Sequence, residues 1–151
     1  MFEPLYTAEE MKRAEAGYDV DELMARAGRA LAEEAMLRFP DAQRFVAVCG
    51  GGANGGDGRI ALEVLEAAGK AARTSDDAPV EEANVVIDAL FGTGFHGEPR
   101  EDAARAIAAM NSSGKPIVAV DLPSGVNAST GEIAGAAVNA TVTVTMHAPK
   151  V

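Results

Sequence analysis

The sequence is poor in cysteine, aromatic residues and positive charge. Its 151 residues contain one cysteine and no tryptophan. Because Cys49 cannot form an internal disulfide, the reducing cytoplasm is the expected compartment. Lys and Arg number 13 against 23 Asp and Glu, which gives a formal net charge of −10. Such a chain lacks the basic face that general nucleic-acid binding requires, so we expect no nucleic-acid partner.

Long apolar runs are also missing. No run approaches the roughly 20 residues that cross a bilayer, and the acidic N-terminus shows no basic segment followed by an apolar one. We therefore expect neither a membrane span nor a secretory signal. Apolar residues still make up 48% of the chain, enough for a real core. The length predicts one domain, residues 1–151.

Short apolar strands alternate with amphipathic helices along the chain. Thr7 and Glu10 predict a capping box at a first helix. Further predicted helices are Asp21–Phe39, Arg59–Ala68 and Glu101–Met110, and predicted strands are Arg44–Cys49, Lys70–Thr74, Asn84–Leu90, Lys115–Leu122 and Ala140–Met146. This alternation indicates βαβ units, hence an α/β fold: a Rossmann-like three-layer αβα sandwich with a mostly parallel sheet. Residues 76–82 are interpreted as a solvated connection.

Three suggestive loops follow three of these strands. They are Gly50–Gly58, Phe91–Gly97 and Pro123–Gly125. In doubly wound sheets, ligands bind at the carboxyl ends of the strands. We therefore expect the three loops to converge on one crevice.

The first loop carries a dinucleotide-binding pattern. Gly50, Gly52 and Gly55 satisfy G-x-G-x-x-G between a strand and a helix. Backbone amides at a helix N-terminus can hold a diphosphate without any basic side chain. Asp57 would repel a phosphate there, so it caps the helix or binds a hydroxyl group of a ligand.

An NAD-binding Rossmann dehydrogenase is one alternative. Asp76 or Asp77 lies at the spacing of the ribose-binding carboxylate of that class. Against it, the chain has no room for a substrate domain. A serine hydrolase is disfavoured, because Ser124 lies in Pro-Ser-Gly rather than in G-x-S-x-G.

Three ordered motifs, Gly50–Gly58, Val86–Gly94 and Val120–Gly131, resemble those of the YjeF N-terminal domain family. Its best-known members are NAD(P)HX epimerases, which interconvert the R and S forms of NADH or NADPH hydrated at nicotinamide C6. The resemblance implies an isomerase of metabolite repair that feeds a dehydratase, separate or fused. Residues 137–143 and Lys150 also resemble the family.

The resemblance also implies a site. A potassium ion would be coordinated by Asn54, Asp88 and Ser124, whose oxygen atoms suit a hard cation. Asp88 and Asp121 would repel each other unless a cation or proton intervenes, so a cation at Asp88 leaves Asp121 as the catalytic general acid or base. Substrate contacts fall on Ala53, Asn54, Gly55, Gly56, Asp57, Gly92, Thr93, Gly94, Phe95, His96, Gly97, Glu98 and Asp121. From the residues alone, each aspartate is also a candidate loop-capping carboxylate.

The chain departs from the family pattern in three places. Ala53 stands where the family has asparagine, the stretch between Gly69 and Asn84 is short by about one α/β unit, and the chain stops at Val151 where the family continues. These departures favour a second alternative, a non-catalytic scaffold that binds nucleotides or proteins. The last strand would be an open edge, so we expect a homo-oligomer.

Overall fold

The structure, a computed structural model, describes residues 7–16 and 19–145. The predicted strand end at Met146 and the family-like Lys150 therefore lie outside the described residues. In chain order the elements are α1 (Ala8–Glu15), α2 (Val20–Arg38), β1 (Arg44–Cys49), α3 (Ala53–Ala67), β2 (Ala71–Thr74), a 3-10 helix (Val80–Glu82), β3 (Val85–Ala89), α4 (Glu101–Ser112), β4 (Ile117–Val120) and β5 (Val142–Val144).

The five strands form one parallel sheet in the order β2-β1-β3-β4-β5. The chain moves outward from β1 to β2 and then returns to the other side of β1 as β3. The gap between β1 and β3 is thus the topological switch point, where ligands of such sheets bind. β2 and β5 lie at the edges.

Helices cover both faces of this sheet, which confirms the predicted three-layer α/β class. One core packs α2 and α3 against the sheet through residues such as Leu31, Leu65 and Ile87. The other packs α4 and the 3-10 helix through Ile107, Met110 and Val80. In the part of the chain that the structure describes, no helix combines the length and the apolar character that crossing a lipid bilayer would take.

The first helix begins as the sequence predicts. The Thr7 hydroxyl accepts a hydrogen bond from the backbone N–H of Glu10, and the Glu10 carboxylate accepts one from the N–H of Thr7. The capping box thereby satisfies two of the orphan amides at this end.

The glycine segment differs from the prediction. Gly52 is the N-cap, so α3 begins at Ala53 and most of the predicted loop is helical. Glycine is a poor helix former, but tertiary packing overrides that preference here. A Cβ on Gly58 would lie 2.6 Å from the Cβ of Ala89, and one on Gly56 would lie 2.5 Å from the sulfur of Met24. Close approach to the sheet thus requires glycine at position 58, whereas the flexible Met24 side chain can move away from a Cβ at position 56.

Residues 76–82 also differ from the predicted solvated connection. Their last three residues form the 3-10 helix, and Val80 is buried in the second core. This short helix covers part of the sheet face beside β1 and β3, where an apolar side chain is stabilised by removal from water.

Candidate active site

A cavity of about 920 Å³ opens at the switch point, beyond the carboxyl ends of β1 and β3. Its volume lies in the range of about 300–1,000 Å³ that is usual for small-molecule sites. The walls come from the segment after β1, the segment after β3 and the first two turns of α4. Its lining residues are Cys49–Asn54, Leu90–His96, Glu98, Arg100, Asp102, Ala103 and Ala106.

Asn54 connects the ends of three strands. It lies in the first turn of α3, which follows β1, and only 7% of it is exposed. Its Nδ2 donates to the carbonyl oxygens of Phe91, at 2.9 Å, and of Val120, at 2.8 Å. Because carbonyls only accept, these bonds fix the amide orientation and leave Oδ1 for another partner. A Cβ on Gly92 would lie 2.8 Å from that Oδ1, so glycine is needed there.

Asp88 and Ser124 form a buried pair below the cavity. Asp88 is fully buried near the end of β3, and Ser124 follows β4 with 1% exposure. The Ser124 hydroxyl donates to Asp88 Oδ1 at 2.6 Å, and the Ser124 backbone N–H donates to Oδ2 at 2.7 Å. The N–H of Leu90 also donates to Oδ1, at 3.3 Å. The pair therefore joins the third motif to β3.

The charge of Asp88 is poorly compensated in this environment. Burial raises the pKa of Asp88, and the hydrogen bonds from Ser124 and Leu90 lower it only in part. Among the described residues, no lysine or arginine is a cause of that pKa shift. A nearby cation would favour the ionised carboxylate, as an opposite charge does in general.

Phe91 links the polar residues to an aromatic wall. Its backbone N–H donates to the Ser124 hydroxyl at 2.9 Å, and its carbonyl accepts from Asn54. Its ring stacks on Phe95 with centroids 4.4 Å apart and an interplanar angle of 12°. Phe91 was not among the predicted contacts, because its connections are made by the backbone, which no side-chain pattern indicates.

Asp121 directly follows β4 in an unusual conformation. Its φ is +67°, the one positive value among the described non-glycine residues. Its N–H donates to the carbonyl of Val144 at 2.8 Å, which holds it against β5. Positive φ in a residue other than glycine is uncommon and often marks a functional site. Its neighbour Val120 accepts the bond from Asn54, so Asp121 lies at the same edge of the sheet.

The predicted substrate contacts divide into two groups. Those that line the cavity are Ala53, Asn54, Gly92, Thr93, Gly94, Phe95, His96 and Glu98. Those that do not line it are Gly55, Gly56, Asp57, Gly97 and Asp121. A Cβ on Gly55 would lie 1.8 Å from the carbonyl oxygen of Gly50, so glycine is needed there for the first turn of α3 to pass close to the Gly50 backbone.

Several cavity residues were not anticipated from the sequence. Arg100, Asp102, Ala103 and Ala106 face the cavity from the start of α4. The sequence indicated them only weakly, through a predicted helix that begins soon after the second loop. Cys49 is half-buried in the wall, and burial raises the pKa of its thiol. Asp76 and Asp77, which the dehydrogenase alternative requires, do not line the cavity.

The oxygen atoms of Asn54, Asp88 and Ser124 are suited to a cation. Ser124 bonds directly to Asp88, and both Ser124 and Asn54 bond to Phe91, so the three side chains form one connected group. One carboxylate and two neutral oxygens supply a single negative charge, which matches a monovalent ion, and hard cations prefer such ligands. In the described part of the chain, no three His, Cys, Asp or Glu side chains cluster around a possible metal position.

Comparisons with known proteins agree with this architecture. The family model for the YjeF-related protein N-terminus matches residues 20–75 and 62–151. A bifunctional NAD(P)H-hydrate repair enzyme Nnr from Pyrobaculum aerophilum is 38% identical over 164 residues, covering 85% of this chain and 33% of the relative. An NAD(P)H-hydrate epimerase from Limosilactobacillus reuteri (strain DSM 20016) is 35% identical over 186 residues, covering 100% of this chain and 88% of the relative.

The chain thus spans about a third of the length of the first bifunctional relatives. In fold, it is similar to the crystal structure of yeast ynu0, YNL200c, with a TM-score of 0.84 and 21% identity. That likeness covers 97% of this chain and 82% of the yeast chain.

Proposed function

The chain belongs to the YjeF-related protein N-terminus family, and on that premise we propose that it is an NAD(P)H-hydrate epimerase. Its substrates would be NADH and NADPH hydrated at nicotinamide C6. It would interconvert their R and S forms, an isomerase reaction of metabolite repair.

The observation that carries this proposal is the connection of all three motifs around one cavity. Asn54 from the first motif, Phe91 from the second and Ser124 from the third are joined by direct hydrogen bonds. The cavity of about 920 Å³ above them is large enough for much of a dinucleotide. Its wall includes Gly51–Asn54 at the start of α3, where backbone amides can hold a diphosphate.

Asp121 is the proposed catalytic residue. Inversion at C6 requires that a bond to that carbon break and form again, with a proton moved to or from the leaving oxygen or the ring nitrogen. A carboxylate can transfer that proton as general acid or base. The position of Asp121 beside Val120, and its positive φ, support this role.

A potassium ion is the proposed cofactor. Asn54, Asp88 and Ser124 would hold it, and its charge would compensate the buried Asp88 carboxylate. Potassium is the choice implied by the family resemblance, and the single negative charge of the three ligands supports a monovalent ion.

The remaining assignments concern the chain as a whole. We propose one domain over residues 1–151, with an internal shortening between Gly69 and Asn84. The alignment to the epimerase of L. reuteri supports this, because it runs over 186 residues for a chain of 151. We also propose a cytoplasmic location, since one cysteine allows no internal disulfide. A homo-oligomer is proposed because β5 is an edge strand.

The proposed partner is an NAD(P)HX dehydratase. Three relatives that are bifunctional repair enzymes are about three times longer than the part this chain matches, which supports a fused or separate second activity.

The test is epimer interconversion. Pure R-NADPHX is supplied with a dehydratase that accepts only the S form, and NADPH recovery is followed with wild-type protein in potassium or choline chloride. Recovery well above the spontaneous rate, and faster in potassium, is the expected result. Recovery no faster than the blank would contradict the epimerase and leave the scaffold alternative. Tight binding of intact NAD with hydride transfer would instead indicate a dehydrogenase.

A further inference from the structure

Two cavity residues, Phe95 and Arg100, are not explained by chemistry at the nicotinamide ring. Both belong to the wall formed by the segment after β3 and the start of α4. The polar group of Asn54, Asp88 and Ser124 lies instead at the strand ends, next to Asp121. Asn54 brings this polar group to one part of the cavity wall, whereas Phe95 and Arg100 form an aromatic and cationic part.

Phe95 offers a flat apolar surface to a ligand. It is only partly buried and lines the cavity, while its ring is stacked on Phe91 at 4.4 Å. Phe91 is itself held through its backbone by Asn54 and Ser124. One face of the Phe95 ring is thus held against Phe91, and the opposite face is left for a further ring.

Arg100 occupies a position that ordinarily disfavours arginine. It is the N-cap of α4 and makes no side-chain capping bond. N-caps favour Ser, Thr, Asp and Asn, and a cation at a helix N-terminus is opposed by the helix dipole. Within residues 7–16 and 19–145, Arg100 also forms no ion pair, whereas Arg105 on the same helix pairs with Glu101 at 3.8 Å. A local rule broken without compensation commonly marks a functional position.

We propose that Phe95 and Arg100 bind the adenosine half of the dinucleotide, with the adenine base on the Phe95 ring and its phosphate near the Arg100 guanidinium. The proposal rests on the proposed function and adds the direction in which the substrate lies. Hydration leaves sp³ carbons in the nicotinamide ring, so flat stacking suits adenine better. The reacting ring is then directed to the part of the cavity that Asn54 lines, and Asn54 bonds to Val120, the residue before Asp121. Glu98 and Asp102 also line this wall, and their carboxylates can accept hydrogen bonds from ribose hydroxyls.

The test compares two mononucleotides by calorimetry: adenosine 5′-monophosphate and reduced nicotinamide mononucleotide. Base–aromatic stacking contributes about 1–3 kcal/mol per base, or roughly 5- to 150-fold in affinity. Phe95→Leu, which keeps an apolar side chain beside Phe91, should weaken adenosine monophosphate binding about tenfold or more. Its affinity for reduced nicotinamide mononucleotide should stay within about twofold of the wild-type value. Phe95→Tyr keeps the ring and should bind as the wild type does.

Arg100→Ala should weaken the binding of adenosine monophosphate in the same selective way. Arg105→Ala is the control, because Arg105 is on the same helix but outside the cavity, and it should leave that binding unchanged. Equal weakening of both mononucleotides by Phe95→Leu would overturn the assignment, since the residue would then only shape the segment. Unchanged adenosine monophosphate binding, or a wild type that binds only the nicotinamide half, would overturn it too. These outcomes do not depend on the epimerase assay, so a selective loss without epimerisation would contradict the activity alone.

Discussion

At the scale of single residues, the side chains that connect the site are small and polar. Asn54 and Ser124 each bond to the backbone of Phe91, and Ser124 also bonds twice to Asp88. The sequence indicated these residue types as cation ligands. It could not indicate that the amide of Asn54 spans two carbonyls from different strands, because that depends on how far apart the strand ends lie.

Asp121→Asn should abolish most of the proposed epimerase activity. Loss of a positioned general acid or base costs about 10²- to 10⁴-fold in rate. Asparagine is the preferred change because it tolerates positive φ, whereas alanine at +67° would add backbone strain. NADPH recovery in the coupled assay measures the effect. A variant that retains the wild-type rate would remove Asp121 from the catalytic role.

Ala53→Asn should strengthen ligand binding. Ala53 is exposed at the start of α3 and lines the cavity, so an added amide can reach a bound nucleotide. One new hydrogen bond contributes about 0.5–1.5 kcal/mol, or roughly 2- to 12-fold in affinity. Titration with NADPH or NADPHX measures it. Gly51→Asn, also in the cavity wall, is the comparison, and an equal gain in both variants would contradict a specific role for position 53.

Ser124→Ala should destabilise the fold. It removes a donor to Asp88 and the acceptor of the Phe91 N–H, and leaving buried polar groups unsatisfied costs about 1–3 kcal/mol. Urea unfolding measures the free energy. Ser75→Ala is the control, because Ser75 is exposed and a surface change of this kind stays within about 0.5 kcal/mol. Equal unfolding midpoints in the two variants would show that the buried pair contributes little.

At the scale of elements, glycines set how closely α3 approaches its neighbours. A Cβ on Gly28 of α2 would lie 2.5 Å from the Cβ of Ile60, and one on Gly56 would lie 2.5 Å from the Met24 sulfur. These two positions are on facing helices. The sequence placed Gly56 in a ligand loop because the dinucleotide pattern does not distinguish a glycine that approaches a phosphate from one that approaches a helix.

Gly28→Ala should therefore cost more stability than Gly51→Ala. The first change places a methyl group against a branched side chain near the backbone, and overpacking of this kind costs about 1–3 kcal/mol. A Cβ on Gly51 meets nothing within 4 Å. Denaturant unfolding of the pair measures the difference. If both variants unfold at the same denaturant concentration, α2 and α3 can separate without cost and the close packing is unimportant.

At the scale of the whole molecule, the parallel sheet brings distant motifs together. Asp88 and Ser124 are 36 positions apart, and Asn54 and Val120 are 66 apart, yet each pair is hydrogen-bonded. The same burial that makes these bonds also raises the pKa of Asp88. Global stability should therefore respond to both pH and potassium.

In choline chloride, the wild type should lose stability as pH rises through the folded-state pKa of Asp88. Burial raises that pKa above the unfolded value, so the folded protein holds more protons in this window. Stability from this group is thus fully present below the unfolded pKa and is lost as the carboxylate ionises. Asp88→Asn should lack this component of the slope. Urea unfolding at several pH values measures both proteins, and parallel slopes would contradict the expectation.

Potassium chloride at equal ionic strength should restore stability to the wild type at neutral pH. A ligand at 100 times its Kd adds about 2.7 kcal/mol to the folded state, and each kcal/mol raises Tm by about 2–4 °C in a chain of this size. Asp88→Asn and Ser124→Ala should respond less. An equal rise with sodium, potassium and choline would indicate charge screening alone.

Local patterns in the sequence were enough to predict the elements whose cause is local. The bounds of β1 coincide with the predicted Arg44–Cys49, and the capping box of Thr7 and Glu10 forms as predicted. The α/β class followed from the alternation of strands and helices, because a strand followed by a helix returns to a parallel neighbour. The same rule brought the three loops to one edge, and the motifs on them are those by which the family was identified.

Long-range packing sets where α3 begins, which glycines contact other parts of the protein and which side chains reach the cavity. Helix propensity alone predicts that the glycine segment is a loop. Packing against α2 and β3 instead stabilises it as a helix from Ala53 onward. Similarly, Val80 is buried because the short connection from β2 to β3 must cross the sheet. Arg100 lines the cavity because of the way α4 lies on the sheet. That is a long-range contact, which no local pattern in the sequence encodes.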